Sequence, residues 1–324
     1  MTKFYFLTHD KIDPYFNIAS EEYLLKNTDR YYIYLWQNAP SVIVGVNQNA
    51  LEEVNLDYVD KNGIKVVRRA TGGGAVYHDQ NNICYSVIAP YDQNVNNFVQ
   101  WSKPVIDYLA TLGIKAEFSG RNDLTVDGKK ISGSAQTVHN GRILHHGTLL
   151  FKTDLTALER ALKPNQLKMQ SKGIKSVKSR VANLYDLLGK NISCKEFFNG
   201  LKTYFAKDLE EYTLTNQDVQ NILDLVKEKY STYEWNFGYS PKGNNHFSKK
   251  FDFGVFTLDF DTVNGKIKNP SITGDFFTLR NIEEFLDKLQ DLPFTKESLL
   301  LAFERVGEYI KGANGKQIVD SIFC

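Results

Sequence analysis

The residues best suited to chemistry lie in a glycine-rich segment, RRATGGGAVYHD, at residues 68–79. Glycine lacks Cβ, so such a loop turns tightly and lets its N–H groups approach a phosphate or a carboxylate. Arg68 or Arg69 would then supply charge-assisted, bidentate contacts. The spacing matches neither a Walker loop nor a dinucleotide-binding fingerprint, because strand residues follow the glycines. A plain glycine turn is the alternative interpretation.

A second cluster, GRNDLTVDGKKISGSAQ, covers residues 120–136. Asn122 and Asp123 stand at the start of a predicted strand, and Lys130 lies on the next strand across a tight hairpin. A carboxylate there suits Mg²⁺, which keeps several waters and binds mainly to substrate phosphates; the alternative is an Asx turn. Lys129 and Lys130 point to opposite faces of a strand, so at most one faces a site. An inward Lys130 would stabilise an α-phosphate or a developing oxyanion, whereas an outward one is solvated.

Two pairs of neighbouring residues that contain histidine, His145-His146 and His78-Asp79, do not support metal binding or hydrolysis. Neighbouring residues of a strand face opposite sides, so His145 and His146 do not readily chelate one ion, and we interpret them as structural. His78 and Asp79 fail as a catalytic pair for the same reason. No serine or cysteine stands in a nucleophile motif such as GxSxG, which argues against a hydrolase.

Positive charge concentrates between Arg160 and Arg180, where seven basic residues occur without an intervening acid after Arg160. The centre of this run, SKGIKSVKSR at 171–180, contains glycine and serine, which favours a loop over a continuous helix. A solvated loop is one interpretation. The others are capture of an anion by a closing loop, or docking of an acidic partner.

The elements that must position these residues follow from periodicity and turn signals. Asp127-Gly128 and Asn140-Gly141 predict hairpin turns between three antiparallel strands over 123–152. The segment 236–250 is rich in Gly, Asn, Ser and Lys and predicts a domain boundary, followed by a small α+β domain with a turn at Asn264-Gly265. Other predicted strands are 3–8, 64–68, 83–89 and an edge hairpin of 32–36 with 42–45; predicted helices are 16–27, 96–112, 154–162, 195–207, 216–230, 281–290 and 296–310.

Composition limits the class of protein. The chain has 324 residues, 42% of them hydrophobic, so it buries a large core. A net charge of +1 lacks the excess that binding to nucleic acid or to an anionic membrane requires. The first residues lack an export signal, and no 18-residue apolar run follows. Cys84, Cys194 and Cys324 have neither CxxC nor zinc-ligand spacing, so we expect a cytoplasmic protein without disulfides.

Four motifs in this order, RRATGGGAVYHD, GRNDLTVDGKKISGSA, HHGTLLF and SKGIKSVKSR, resemble the lipoate–protein ligase A family. The resemblance runs from about Phe16 through EWNFGYSP at 234–241, and the tail is similar to the family's small C-terminal accessory domain. It implies an α/β (α+β) fold like that of biotin and lipoate ligases, with a mixed, largely antiparallel sheet and flanking helices. The implied domains are a catalytic domain at 1–240 and an accessory domain at 251–324.

The resemblance also implies a reaction. Lipoate and ATP with Mg²⁺ give lipoyl-AMP and pyrophosphate, and the lipoyl group then passes to a lysine of a lipoyl domain. The implied acceptors are lipoyl domains of 2-oxoacid dehydrogenase acyltransferase subunits and the glycine-cleavage H protein. By motif, the residues implied for ATP or the adenylate are Arg69, Gly73, Gly74, Ala75, Val76, Tyr77, Asn122 and Lys130; for lipoate, Trp36, Gly74, His78 and Lys130; for a closing loop, Lys172, Gly173, Lys178 and Arg180; and for the metal, Asp123.

Two other functions remain open from the residues. Related octanoyltransferases need a cysteine nucleophile, and residues 85–193 contain none, which favours a ligase, although Cys84 precedes this stretch. A transferase that uses an acyl carrier, or a ligase for biotin or another short acid, is the nearest alternative. A non-enzymatic protein that recruits an acidic or nucleic-acid partner through the basic segment belongs to a different class.

Overall fold

A computed structural model describes residues 3–91, 98–163, 180–189, 191–238 and 243–323. Within these ranges no helix is long and apolar enough to cross a membrane. The helices are α1 (Pro14–Lys26), α2 (Ala50–Glu53), α3 (Leu56–Lys61), α4 (Phe98–Thr111), α5 (Leu155–Ala161), α6 (Leu184–Leu187), α7 (Cys194–Ala206), α8 (Asn216–Leu225), α9 (Glu283–Leu289), α10 (Lys296–Phe303) and α11 (Gly315–Ile322). Single π-helical turns follow α8 at Val226–Tyr230 and at Glu234–Gly238.

The strands form three sheets. They are β1 (Phe4–Thr8), β2 (Tyr31–Gln37), β3 (Ser41–Val44), β4 (Lys65–Arg68), β5 (Val76–His78), β6 (Asn82–Pro90), β7 (Glu117–Ser119), β8 (Asp123–Val126), β9 (Lys129–His139), β10 (Arg142–Leu150), β11 (Glu210–Tyr212), β12 (Asn245–Phe251), β13 (Gly254–Val263) and β14 (Lys266–Gly274). Eight of them build a large sheet in the order β11-β1-β2-β6-β10-β9-β8-β7. Only β1 pairs in parallel, with β11 and β2, so this sheet is mixed and largely antiparallel, which confirms the predicted fold class.

The predicted hairpin of 32–36 with 42–45 is wrong. β2 lies inside the large sheet, parallel to β1 and antiparallel to β6. β3 does not pair with the large sheet and is instead the central strand of a second sheet, ordered β4-β3-β5. All four residues of β3 are buried, which is typical of a strand covered on both faces rather than one at an edge. The turn signal at Asn38-Ala39-Pro40 marks a change of sheet.

The predicted antiparallel strands over 123–152 are confirmed. β8 pairs with β9 and β9 with β10, each through a two-residue turn. Asp127 and Gly128 have φ of 49° and 75°, and Asn140 and Gly141 have φ of 46° and 71°. Asn, Asp and Gly tolerate this left-handed conformation best, which explains why these residues stand at the turns.

The large sheet is buried on both faces. Alternation along its central strands sends Phe6, Leu35 and Tyr85 to a core shared with α4 and α7. The opposite alternation sends Tyr34 and Trp36 to a core shared with α1.

Helix α1 is buried almost throughout. It begins at an Asp13 N-cap with Pro14 at its first position. Both Glu21 and Glu22 are buried, at 2% and 6% exposure. A buried carboxylate costs free energy unless it is paired or hydrogen-bonded, so Glu21 and Glu22 must have such partners inside the protein.

The C-terminal part folds as a three-stranded antiparallel sheet, β12-β13-β14, covered by α9, α10 and α11. Its β13–β14 turn lies at Asn264 and Gly265, as predicted. The segment predicted as a domain boundary, 236–250, contains most of β12. β12 is an edge strand, and this position explains why a strand can be as polar as a linker.

Candidate active site

One cavity of about 520 Å³ lies where the two smaller sheets meet the large one. Its walls come from residues 73–75 of the glycine loop, which we define as residues 70–75, and from β2, β5, β6, the hairpins of β8 to β10 and the C-terminal sheet. Most of the predicted site residues line it: Trp36, Arg69, Gly73, Gly74, Ala75, Val76, His78, Asn122, Asp123, Lys130 and Arg180.

Four predicted residues are not among them. Tyr77 stands between two cavity-lining residues of β5, Val76 and His78, so strand alternation turns its side chain away. It is buried against Val42 and other residues of a core around the second sheet, which raises its pKa to about 12. The side chain of Tyr77 therefore belongs to the core, and only its main chain is left for the predicted contact with the nucleotide. Lys172, Gly173 and Lys178 lie outside the described residues.

Arg69 holds the glycine loop in shape. Its Nη2 donates to the carbonyl oxygens of Gly72 and Gly74 at 2.6 and 3.0 Å, and its Nη1 donates to that of Ile43 at 3.1 Å. Its Nε donates to Thr71 Oγ1 at 2.9 Å. Burial lowers the pKa of this guanidinium to about 10, so it stays charged at neutral pH. Arg69 faces the cavity while it fixes the loop around it.

Arg68 is structural. It is 1% exposed, and its Nη1 donates to the carbonyl oxygens of Gly45, Val46 and Gln48 at 3.0, 2.9 and 2.6 Å. Its Nε donates to the carbonyl of Trp235 at 2.9 Å. Of the two arginines that the sequence offered for anion contact, only Arg69 lines the cavity.

Lys130 and Asp123 converge at the cavity mouth. Lys130 Nζ lies 2.7 Å from Asp123 Oδ1, across the β8–β9 pair. A Cβ on Gly133 would lie 2.7 Å from Lys130 Nζ, so glycine at this position makes room for the ammonium group. Asn122 is already engaged, since its Nδ2 donates to the Ser134 carbonyl at 2.6 Å.

The opposite end of the cavity is mostly apolar, with Ile18, Ile43, Val76 and Trp36 in its wall. His78 adds a ring that burial keeps neutral, because desolvation lowers its pKa to about 3. This end suits an apolar chain, and the charged mouth suits the acidic head of the same molecule.

Cys84 lines the cavity but is not activated. Its thiol is buried, and burial raises its pKa well above the ordinary value. A nucleophilic cysteine needs the opposite shift, toward the thiolate. His78 Nδ1 lies 3.6 Å from Cys84 Sγ, and Asn38 Nδ2 lies 3.1 Å from the same ring nitrogen.

Among the described residues, two carboxylates line the cavity, Asp123 at the mouth beside Lys130 and Asp275 in the C-terminal part. Among the described residues, no three His, Cys, Asp or Glu side chains are grouped to hold a metal. Asp123 is half-exposed beside Lys130, where substrate phosphates would also be attracted. Mg²⁺ commonly binds through one or two carboxylates together with substrate phosphates and water, so Asp123 fits that use.

The C-terminal sheet completes the cavity, which the sequence did not reveal. Asp275 and Phe277 line it, and the Gly73 N–H donates to the Phe276 carbonyl at 3.4 Å. The Gly274 N–H donates to the Asn47 carbonyl at 2.7 Å. Residues so far apart in sequence carry no local signal of this contact.

The chain matches two family models. The "Lipoyl protein ligase A/B catalytic domain" matches residues 13–206, and the "Bacterial lipoate protein ligase C-terminus" matches residues 240–322. The chain belongs to the lipoate–protein ligase A family. As a member of this family it is a ligase that forms an amide bond and attaches lipoate to proteins.

Curated relatives of this ligase agree along its length. It is 41% identical over 322 residues to lipoate-protein ligase LplJ of Bacillus subtilis, which covers 96% of this chain and 94% of the relative. It is 43% identical over 290 residues to lipoate–protein ligase 1 of Staphylococcus aureus, with 88% of each chain covered.

Solved structures of ligases share the fold. P. falciparum LipL1 in complex with lipoate has a TM-score of 0.77 at 28% identity and covers 98% of both chains. A lipoate-protein ligase A bound with ATP has a TM-score of 0.63 at 31% identity, with 73% of this chain and 99% of that chain covered. A bi-partite lipoate protein ligase from Thermoplasma acidophilum, from a structural analysis that covers this ligase and its E2 lipoyl domain, has a TM-score of 0.66 at 33% identity, with 76% of this chain and 100% of that chain covered.

The ligase also holds polar residues near the cavity that sequence reasoning missed or set aside. His146, interpreted as structural, lines the cavity, and its Nδ1 lies 2.9 Å from both carboxylate oxygens of Glu21. A signal for Glu21 existed: two adjacent acids, Glu21 and Glu22, stand between the apolar residues Phe16, Ala19, Tyr23 and Leu24 that recur at helical spacing. The identity of their partners required the fold.

Proposed function

We propose that this ligase activates lipoate with ATP to lipoyl-AMP, releasing pyrophosphate, and then transfers the lipoyl group to a lysine of a lipoyl domain. The observation that carries this proposal is the shape of one cavity. It joins an apolar end at Trp36 to a charged mouth at Lys130 and Asp123, with the glycine loop between them. Both steps therefore have room in one place.

In the first step, a carboxylate oxygen of lipoate attacks the α-phosphorus of ATP, and the bond to pyrophosphate breaks. Negative charge grows on the phosphate oxygens as this happens. We assign to Lys130 the stabilisation of that charge, because its ammonium is a compact cation at the mouth, and to the glycine loop the close approach of main chain to phosphate. ATP bound to a structural neighbour supports the choice of nucleotide.

Mg²⁺, when bound, neutralises phosphate charge and orients the leaving pyrophosphate. We assign its protein contact to Asp123, the half-exposed carboxylate beside Lys130. Lys130 would then contact the phosphates directly, and Asp123 would act on them through the metal ion.

In the second step, the neutral amine of the acceptor lysine attacks the acyl carbon of lipoyl-AMP. The bond from carbon to the AMP oxygen breaks, AMP leaves with the electron pair, and the nitrogen gives up a proton to solvent. A lysine has an ordinary pKa of roughly 10.4, so the acceptor must lose its charge before attack. We assign to Lys130 the stabilisation of the carbonyl oxygen as well, because lipoate and phosphate oxygens meet at the mouth.

The proposed acceptors are lipoyl domains of 2-oxoacid dehydrogenase acyltransferase subunits and the glycine-cleavage H protein. A structural neighbour belongs to a lipoylation system in which the ligase is paired by name with its E2 lipoyl domain, which supports this class of partner. The basic run from Arg160 to Arg180 would attract an acidic domain, and Arg180 lines the cavity itself.

The test is the intact mass of an apo lipoyl domain after incubation with the ligase. Lipoate, ATP and Mg²⁺ are each supplied or withheld. We expect a gain of one lipoyl group that requires all three, and pyrophosphate release that requires lipoate but no acceptor. A mass gain without ATP would contradict the proposal.

A transferase that takes an acyl group from a carrier protein is the alternative. It would need a reactive cysteine, and the buried, unactivated thiol of Cys84 favours the ligase. An octanoyl carrier protein offered in place of lipoate and ATP distinguishes the two. Biotin and octanoate in the same assay test whether the apolar end accepts another acid.

A further inference from the structure

A chain of hydrogen bonds runs behind the cavity wall from its apolar end to the glycine loop. We call this chain the relay. Trp36 Nε1 donates to Ser86 Oγ at 2.9 Å, and Ser86 Oγ donates to Glu21 Oε1 at 2.6 Å. The relay continues through the remaining members in this order: Glu21, His146, Thr71 and Arg69.

The chemistry of its members gives the relay a direction. A carboxylate only accepts, so His146 Nδ1 carries the hydrogen that it shares with Glu21. Arg69 Nε only donates, so Thr71 Oγ1 accepts from it at 2.9 Å. The Thr71 hydroxyl hydrogen is then free for His146 Nε2, also at 2.9 Å. The structure thereby assigns to His146 the tautomer protonated at Nδ1.

Members of the relay divide into two sets by position. Trp36, His146 and Arg69 line the cavity. Ser86, Glu21 and Thr71 lie behind them, at 0%, 2% and 0% exposure, and none of the three is part of the cavity wall. A ligand in the cavity therefore does not touch Glu21, and any effect of this carboxylate on the reaction must pass through another side chain.

Glu21 and Arg69 attract each other electrostatically. Both are buried charges at opposite ends of the His146–Thr71 link, and each costs free energy when it is left uncompensated. Their attraction acts across that link, and it favours the charged guanidinium whose Nη2 holds the carbonyl oxygens of Gly72 and Gly74. The shape of the glycine loop thus depends on a carboxylate in helix α1.

We propose that Glu21 is a positioning residue for the glycine loop, acting through His146 and Thr71 on Arg69. The inference rests on the proposed function in one respect, that the glycine loop receives the nucleotide. Loss of the relay leaves Arg69 free to release the loop carbonyls, and the loop then binds the nucleotide less tightly without losing any atom that touches it.

The first test compares Thr71→Val with Thr71→Ser in lipoate-dependent exchange of ATP with pyrophosphate. Valine keeps the shape of threonine and removes the hydroxyl, whereas serine keeps the hydroxyl. We expect Thr71→Val to raise the KM for ATP about ten- to a hundredfold, the range of one charge-assisted hydrogen bond. Thr71→Ser should keep the KM within about threefold of the parent. Equal KM values for Thr71→Val and the parent would overturn the proposal.

The second test compares Glu21→Gln with Glu22→Gln. Glu22 is the matched control, because it is a buried carboxylate on the same helix that binds Lys26, Lys229 and Tyr230 outside the relay. We expect only Glu21→Gln to raise the KM for ATP. We also expect Thr71→Val to add little to it, since both changes break one relay. Fully additive effects, or equal effects of the two glutamine variants, would overturn the proposal.

A third measurement needs no activity. Nitrogen-15 NMR of the parent protein reports the tautomer of His146 and the hydrogen-exchange rate of the Arg69 Nε–H. We expect a proton at Nδ1 and a slowly exchanging Nε–H that exchanges faster in Thr71→Val. A proton at Nε2 alone would overturn the relay even if Glu21→Gln fails to fold. Absence of exchange activity in the parent would instead contradict the proposed function and leave this readout intact.

Discussion

Lys130 Nζ lies 2.7 Å from Asp123 Oδ1, on neighbouring antiparallel strands at the mouth of the cavity. The two side chains are 33% and 35% exposed, so water reaches both. Pairs of this kind stabilise a fold by only about 0–1 kcal/mol. Separation of the pair by a bound phosphate therefore costs little free energy, which is expected for a ligand-binding site rather than for an ion pair that stabilises the fold.

Replacement of Lys130 by alanine should strongly reduce the rate of adenylation while the fold survives. Removal of a group that stabilises developing charge typically lowers kcat by about 10²–10³. The unfolding free energy should change by less than about 1 kcal/mol, because the pair is exposed. ATP–pyrophosphate exchange and thermal unfolding measure the two effects. Lys129→Ala is the control, since Lys129 is exposed on the same strand; retained exchange in Lys130→Ala would refute the role.

Alanine at Gly133 should act through Lys130. Its Cβ would lie 2.7 Å from Nζ and 2.9 Å from Cε, and the end of a flexible side chain moves more easily than backbone. We expect a folded protein whose exchange rate falls toward that of Lys130→Ala. In the double variant the added loss should be small, because the same ammonium is displaced or absent. An additive loss would place the effect of Gly133→Ala elsewhere.

Cys84→Ala should retain ligation within about twofold, since the thiol is buried and its pKa is raised well above the ordinary value. Its cost in unfolding free energy should be about 1–2 kcal/mol from lost packing. Mass spectrometry of the acceptor measures the activity. Cys194→Ala, which alters a partly exposed thiol, is the control. A dead Cys84→Ala enzyme that remains folded would favour the transferase.

Acid should destabilise the fold through His145. This side chain is fully buried, and within the described residues neither ring nitrogen has a hydrogen-bond partner. Burial lowers its pKa from 6.5 to about 3. Between those pH values the unfolded chain binds more protons, so the unfolding free energy falls as pH falls, by up to about 1.4 kcal/mol per pH unit for this one group.

The leucine variant isolates this contribution. His145→Leu should be neutral or stabilising at pH 7.5, where the parent ring is uncharged in both states and its nitrogens are unsatisfied. Urea unfolding at pH 7.5, 6 and 5 should show a shallower pH dependence for the variant. Parallel pH curves for the two proteins would mean that His145 does not titrate on unfolding.

Local signals in the sequence were sufficient for much of the fold. Asp127-Gly128 and Asn140-Gly141 fixed two turns, because residues that tolerate positive φ stand there. The same kind of reasoning failed at Asn38-Ala39-Pro40. A turn signal shows that a strand ends, but it does not show whether the chain pairs with the strand just completed or begins another sheet.

Some residues of the site could likewise be predicted from local sequence signals, and others could not. Lys130, Asp123 and the glycine loop could be predicted because each lies in a segment with unusual composition. The partners of Glu21 could not be predicted, since Ser86 and His146 lie 65 and 125 residues away from it. The direction of the Tyr77 side chain could not be predicted although its strand was recognised, because the face of β5 that borders the cavity depends on β3, whose sheet was assigned incorrectly.

The contact of the C-terminal sheet with the glycine loop has a consequence for how the enzyme can be divided. Asp275 and Phe277 reach the cavity from the C-terminal part of the same chain, so their contact with the glycine loop forms within one molecule. Cleavage between Gly238 and Gly243 would convert that encounter into association of two separate polypeptides. Completion of the cavity would then depend on the concentrations of both fragments. In the intact chain the cavity forms within one molecule, so its completion does not depend on the expression level.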